Sequence, residues 1–166
     1  YSPMTHDVVI AGAGPVGLFL AIELATAGVR PLVLERLAEP DRAIKSAGVG
    51  AVAAEALERR GLAASLDDES RAAMAAMMPA LKARFGTSPV KKPGGHFSGL
   101  FLIDLSFLPD PQRRMRPVPQ EALERILTVR ASELGIEIRR GTIVEGFEQD
   151  ADGVTVRTSA GPIRAK

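Results

Sequence analysis

The stretch Asp7–Glu35, DVVIAGAGPVGLFLAIELATAGVRPLVLE, constrains the fold of this chain more than any other. Val8-Val9-Ile10-Ala11 is a short apolar run without alternation, the pattern of a strand covered on both faces. Gly12-x-Gly14-x-x-Gly17 follows at once. Leu18 to Ala27 is apolar almost all round, broken by Glu23 and Thr26, which predicts a buried helix. Gly28 stands where a left-handed helix cap is wanted. Leu32-Val33-Leu34 predicts a second buried strand, and that strand ends on Glu35.

Each part has a physical job. Gly12 allows a tight strand-to-helix turn, Gly14 removes a side chain where a pyrophosphate would approach the backbone, and Gly17 lets the helix lie close to the strand. The free N–H groups of the first helical turn, with the helix dipole, favour the diphosphate charge. Glu35 falls 23 residues after Gly12. A carboxylate at the end of the second strand can accept both hydroxyls of an adenosine ribose, and its charge should repel a 2′-phosphate. That argues against NADP as the ligand of this unit. The glycine spacing alone is weak evidence, but here strand, helix and acid stand in the expected places. FAD and NAD share this unit, so it does not choose between them.

Composition excludes several alternatives. Hydrophobic content is 46% and charged content 25%, so the chain is globular rather than disordered. A net charge of +1 gives no bulk electrostatic case for nucleic acid or an acidic membrane surface. With no cysteine there is no disulfide, thiolate metal site or cysteine nucleophile, which suits a reducing, cytoplasmic compartment. No apolar run reaches the length of a membrane span. Val8–Ala11 does not read as a secretory signal, since it breaks at glycine and continues as a cofactor turn.

After Glu35 comes a polar loop, 36–50, then a helix over Ala51–Arg60 stopped by Gly61. Ser65 and the acids Asp67, Asp68 and Glu69 open a second helix through about Arg84, with Ala72, Met74, Ala75, Met77 and Met78 as core filler. Gly86–Gly95 is a loop. His96–Leu105 reads as one strand, and Arg113–Arg116 as a basic extended segment before Pro117. Pro119 opens an amphipathic helix whose Leu123, Ile126, Leu127, Ala131 and Leu134 share a face, stopped by Gly135. Ile136–Arg139 is a third parallel strand. Thr142–Glu148 and Val154–Thr158 flank an Asp-Gly turn, and Ile163 begins a further strand. The fold class is α/β: a Rossmann-like parallel sheet of order 3-2-1 with a β-meander, plus part of a β-containing substrate domain, with a strand pair around residues 96–118 in a different layer. The expected division is 1–85 and 118–166 for the dinucleotide-binding part, with 86–117 inserted between them.

Beyond the opening unit, AGVG…EALERRGL and RPVPQEALERILTVRASELGIEIRRGTIVEGFEQDADGVTVRTSAG carry a family resemblance. The chain resembles the amino-terminal part of FAD-dependent aromatic hydroxylases, the single-component flavoprotein monooxygenases that include para-hydroxybenzoate hydroxylase and polyketide-tailoring enzymes of antibiotic biosynthesis. The resemblance implies hydroxylation of a small phenolic or polyketide-type aromatic substrate. FAD would be reduced by NADH or NADPH and would react with O2 to give a flavin C4a-hydroperoxide. It also implies site residues. Gly12, Ala13, Gly14 and Gly17 would face the FAD diphosphate, with Pro15 and Val16 lending the helix start. Glu35 would hold the adenosine ribose and Arg36 would lie along the adenine side. Lys45 or Arg42 would reach the diphosphate or ribityl chain. Gln120 would reach the flavin side of the cofactor, and the Val144 backbone would meet adenine.

Read without the resemblance, Gln120 is a polar residue in the first turn of a helix, and Arg113, Arg114 and Arg116 are either a solvated edge or a means of steering an anionic substrate or NAD(P)H. His6 reads as inert and His96 as structural. No His, Asp or Glu cluster has metal-ligand spacing, no serine sits in a nucleophile elbow, and no catalytic residue is assigned. The family's later Asp-Gly and Gly-Asp cofactor motifs are missing, so the expectation is a truncated chain holding the ADP half of the cofactor. Its first strand would then have an open edge. Two other readings stand beside hydroxylase: another FAD- or NAD-dependent oxidoreductase, and a dinucleotide-binding module that needs a partner chain or the remainder of its polypeptide.

Overall fold

The opening unit folds as its glycines require. In the computed structural model, which describes residues 6–41, 46–85, 95–97, 100–103 and 115–166, strand β1 (Val8–Ala11) leads into helix α1 (Pro15–Thr26) and strand β2 (Pro31–Glu35). β1 and β2 run parallel, with Val9 opposite Leu32 and Ala11 opposite Leu34. Helix α4 (Gln120–Glu133) returns the chain to strand β5 (Glu137–Arg140), which pairs parallel to the other side of β2. The sheet order β1-β2-β5 is the 3-2-1 order expected from the sequence.

Alternation along β2 sends its side chains to two layers. Leu32 and Leu34 pack with Val156, and Val9, Val144, Val154 and Ile163 close around them. These partners come from an antiparallel meander, β6 (Val144–Asp150), β7 (Gly153–Thr158) and β8 (Ile163–Ala165), which covers that face. Helices α1 and α4 pack against each other, and α1 also lies on β1 and β2. Leu18, Ala21, Ile22, Val33, Leu127 and Ala131 are fully buried. Burying each of the larger ones contributes roughly 1.5–3 kcal/mol. The helix stops fall at the expected Gly28, Gly61 and Gly135, all with positive φ.

Two parts of this unit differ from expectation. Helix α1 is not buried all round, because Val16 and Leu20 are 84% and 46% exposed and only one stripe meets the sheet and α4. β1 is covered less evenly than β2: Ile10 is buried and Val8 and Val9 are half-buried. Among the described residues β1 pairs with β2 in the parallel sheet and with no other strand, while His6 just before it makes a parallel bridge to Ala165. His6 is buried, with its Nε2 3.5 Å from a Glu137 carboxylate oxygen.

Contacts divide the chain into two compact units, one of residues Tyr1–Lys45 with Gln120–Lys166 and the other Ser46–Pro119. The second holds helices α2 (Ala51–Arg59) and α3 (Ala63–Phe85) and a hairpin of β3 (Gly95–Phe97) and β4 (Leu100–Ile103). The single strand expected over His96–Leu105 is therefore two antiparallel strands. An apolar run looks the same whether or not the chain reverses within it. Met74, Met77 and Met78 are not core filler: they are 39%, 46% and 39% exposed on α3. Burial on α3 falls near its start, at Leu66.

Arg116 is neither a solvated edge nor a free cation. Its side chain is 23% exposed and pairs with Glu58 of α2 and Asp67 of α3, while its backbone bridges to Val49 in both directions. One guanidinium thus ties two helices to an extended segment. Arg113, Arg114, Arg42 and Lys45 lie outside the described residues, as does the expected loop up to residue 94. No helix among the described residues is long and apolar enough to cross a membrane.

Candidate functional site

The site is built where β1, the start of α1 and the end of β2 meet. Gly12 has φ of +111°, a backbone that L side chains rarely adopt, and its N–H donates to the Leu34 carbonyl at 2.7 Å. A Cβ on Gly17 would fall 2.1 Å from the Gly12 carbonyl oxygen, so only glycine lets the helix start this close to the turn. A Cβ on Gly14 would meet nothing within 4 Å, leaving open space over the turn. Pro15 occupies the first helical position, where its missing N–H costs nothing. No side chain caps the helix and no acid lies in its first turn. Its leading amides are left for an acceptor from outside, and no carboxylate there competes with an anion.

Glu35 closes the other side. One carboxylate oxygen accepts the Ala13 N–H at 2.8 Å, and the other accepts the Leu37 N–H at 2.9 Å. Ala13 itself is 3% exposed. Burial works against ionisation of Glu35, but the Leu37 and Ala13 N–H groups, helped by the charges of Arg140 and Arg36, outweigh it and hold the carboxyl below its ordinary value. Arg140 stands directly opposite Glu35 in the β2–β5 register. The sequence reading named Arg36 but missed Arg140. The signal was present, in the basic pair that ends the third parallel strand.

The remaining expected residues are spread more widely. Val144 opens β6, half-buried against the Leu32–Leu34–Val156 cluster and opposite Thr158. Gln120 is the first residue of α4, and its Nε2 donates to Glu124 at 2.8 Å, one turn on. Arg36 is exposed just past β2. Lys45 lies outside the described residues. The structure thus brings together Gly12, Ala13, Gly14, Pro15, Val16, Gly17 and Glu35 in one turn–helix–strand junction. Val144 and Gln120 belong to other elements of the same unit.

This arrangement suits the adenosine diphosphate part of a dinucleotide. An open glycine turn and uncapped helical amides fit the phosphates, and a half-buried, ionised carboxylate with spare lone pairs fits the ribose hydroxyls. Among the described residues, no group of three or more His, Cys, Asp or Glu is placed to hold a metal.

Comparison with known proteins points the same way. The 12-dehydrotetracycline 5-monooxygenase/anhydrotetracycline 6-monooxygenase of Streptomyces rimosus is 46% identical over 154 residues, which are 92% of this chain and 27% of that protein. The solved structure of the OxyS anhydrotetracycline hydroxylase from Streptomyces rimosus matches with a TM-score of 0.73 and 44% identity, over 96% of this chain and 30% of that one. An aklavinone-11 hydroxylase solved as a ternary complex with FAD and aklavinone matches with a TM-score of 0.67 and 25% identity, over 99% of this chain and 32% of that one. The chain therefore spans less than a third of the length of each of these proteins. Residues 5–162 match the family profile described as an FAD binding domain, and the chain belongs to that family.

Proposed function

We propose that this chain is the ADP-binding portion of an FAD-dependent monooxygenase that hydroxylates an aromatic substrate of phenolic or polyketide type. The observation that carries the reading is the junction of the Gly12–Gly17 turn with an ionised Glu35, in a chain 46% identical over 154 residues to a 12-dehydrotetracycline 5-monooxygenase/anhydrotetracycline 6-monooxygenase. Bound FAD would supply the redox chemistry, with NADH or NADPH as transient reductant and O2 as the source of the inserted oxygen. This chain's own residues would bind and orient. The Gly14 N–H and the first-turn amides at Val16 and Gly17 would take the diphosphate, on a turn whose path Gly12 and Ala13 set through their bonds to Leu34 and Glu35, and Glu35 would take the adenosine ribose. Arg36 and the Val144 backbone would border the adenine. Gln120 would reach toward the flavin side once its bond to Glu124 opens, and Lys45 toward the diphosphate or ribityl chain. The negative charge of Glu35 disfavours a 2′-phosphate, so NADPH would act elsewhere and only in passing. A reaction that draws on NAD(P)H fits a cytoplasmic protein.

The test uses the intact protein. It should purify with the two visible absorption bands of oxidised flavin, and an aromatic substrate should speed NAD(P)H oxidation and leave with one added oxygen atom. A preparation that takes up no FAD on reconstitution overturns the cofactor reading. NAD(P)H oxidation that never inserts oxygen, across a panel of phenols and polyketides, points instead to a flavin dehydrogenase.

A further inference from the structure

Ala13 sits between two glycines, in the part of the turn with the least side-chain restraint. The turn is anchored before it by the Gly12 N–H on the Leu34 carbonyl at 2.7 Å. Behind it, the start of α1 lies so close to Gly12 that a Cβ on Gly17 would have no room. The Ala13 peptide itself is held from a distance in sequence, its N–H donating to the Glu35 carboxylate 22 residues away at 2.8 Å. Because Ala13 is 3% exposed, an N–H there without a partner would be costly. The second Glu35 oxygen accepts Leu37 N–H at 2.9 Å, which fixes the plane of the carboxylate. Both donors are backbone groups of this chain, so the arrangement needs no ligand. A hydrogen bond to an ionised acceptor is roughly twice as strong as a neutral one. A carboxylate offers about four lone-pair sites, and the two backbone bonds leave about two for ribose hydroxyls.

We propose that Glu35 is a positioning residue for the glycine turn: its carboxylate fixes the Ala13 peptide and so sets the path of the Gly12–Gly14 backbone toward a dinucleotide diphosphate before any ligand arrives. This rests on the reading that the chain binds the ADP portion of FAD, and extends it from the ribose to the phosphates. A residue that acts through the ribose alone matters only to ligands with ribose hydroxyls. A residue that shapes the turn matters to ligands without them.

Titration of the intact apoprotein with ADP, and with dideoxy-ADP lacking both ribose hydroxyls, separates the two roles. Dideoxy-ADP should bind about fivefold or more weaker to Glu35→Ala than to the wild type, a difference of about 1 kcal/mol. Glu35→Gln keeps the size and one acceptor oxygen, folds as the wild type does, and should fall between. Equal dideoxy-ADP affinities in wild type and Glu35→Ala overturn the proposal. A second readout is the Ala13 amide resonance of apoprotein labelled with nitrogen isotope in alanine. It should move as Glu35 titrates in acid and stay flat in Glu35→Gln; a flat wild-type signal also overturns the proposal. If the wild type binds neither nucleotide, the FAD reading falls and the Ala13 resonance decides the turn-fixing role by itself.

Discussion

Two residues, Gly17 and Glu35, set the geometry of the junction, and they do it by opposite means. Gly17 works by what it lacks. Adding a methyl group 2.1 Å from the Gly12 carbonyl oxygen forces the backbone of the turn or the helix to move. Gly17→Ala should cost about 1–3 kcal/mol, the usual range for overpacking a tight site. It should also lower the flavin content of the purified intact protein, and a denaturant midpoint with a flavin assay checks both. Glu35 works by what it accepts. If it accepts two charged hydrogen bonds from the adenosine ribose hydroxyls, Glu35→Ala should weaken FAD binding by about 2–4 kcal/mol. Flavin retention unchanged in that variant, measured by dialysis against apoprotein, takes Glu35 out of the cofactor site.

The elements divide into those fixed by local pattern and those fixed by distant partners. β1, α1, β2, α4 and the meander were legible in the sequence, because each carries its own signal: unalternating apolar runs, a fingerprint of glycines, helix stops, and the Asp-Gly turn between β6 and β7. The Arg116 clamp was not legible, since its partners lie 58 and 49 residues away and nothing local marks an arginine as paired. The β3–β4 reversal was hidden inside one apolar run, and the exposure of the α3 methionines depends on what packs beside them. Of the candidate site, the glycines and Glu35 were legible from spacing. The Ala13–Glu35 bond was not, because it depends on how the turn and the strand end line up; Arg140 was marked by the basic pair that ends β5, but its place opposite Glu35 depends on the register across the sheet. Arg116→Ala should destabilise the unit of α2 and α3 by about 1–3 kcal/mol, below the range for fully buried pairs because the guanidinium is partly exposed. Thermal unfolding of the intact variant, followed by protease sensitivity at α2, reads this. Asp150 at the end of β6 is bonded by Arg164 of β8, which holds its carboxyl down from 3.8 to about 2. A carboxyl lowered on folding stabilises above its unfolded value and loses that contribution as pH falls through the folded one. The stability gap between wild type and Asp150→Asn should therefore be full above pH 3.8 and close toward pH 2. A gap that stays constant across that window removes the ion pair as its cause.

For the molecule as a whole, the order β1-β2-β5 has a consequence in time. β2 receives its second neighbour from a strand that begins about 100 residues later in the chain. Synthesis proceeds at about 5–20 residues per second, so on a ribosome β2 stands for roughly 5–20 seconds with one side unpaired. Leu32, Val33 and Leu34, fully buried in the finished sheet, are then the residues of a sticky, half-built edge. A nascent chain stalled before Glu137 should be cleaved by protease around Leu32–Leu34 and should recruit chaperones, and protection should appear once β5 and the meander have emerged. Early protection, before Glu137 is made, would mean that β1, α1 and β2 close on themselves. The glycine turn thus leaves the ribosome well before the strand that gives β2 its second neighbour.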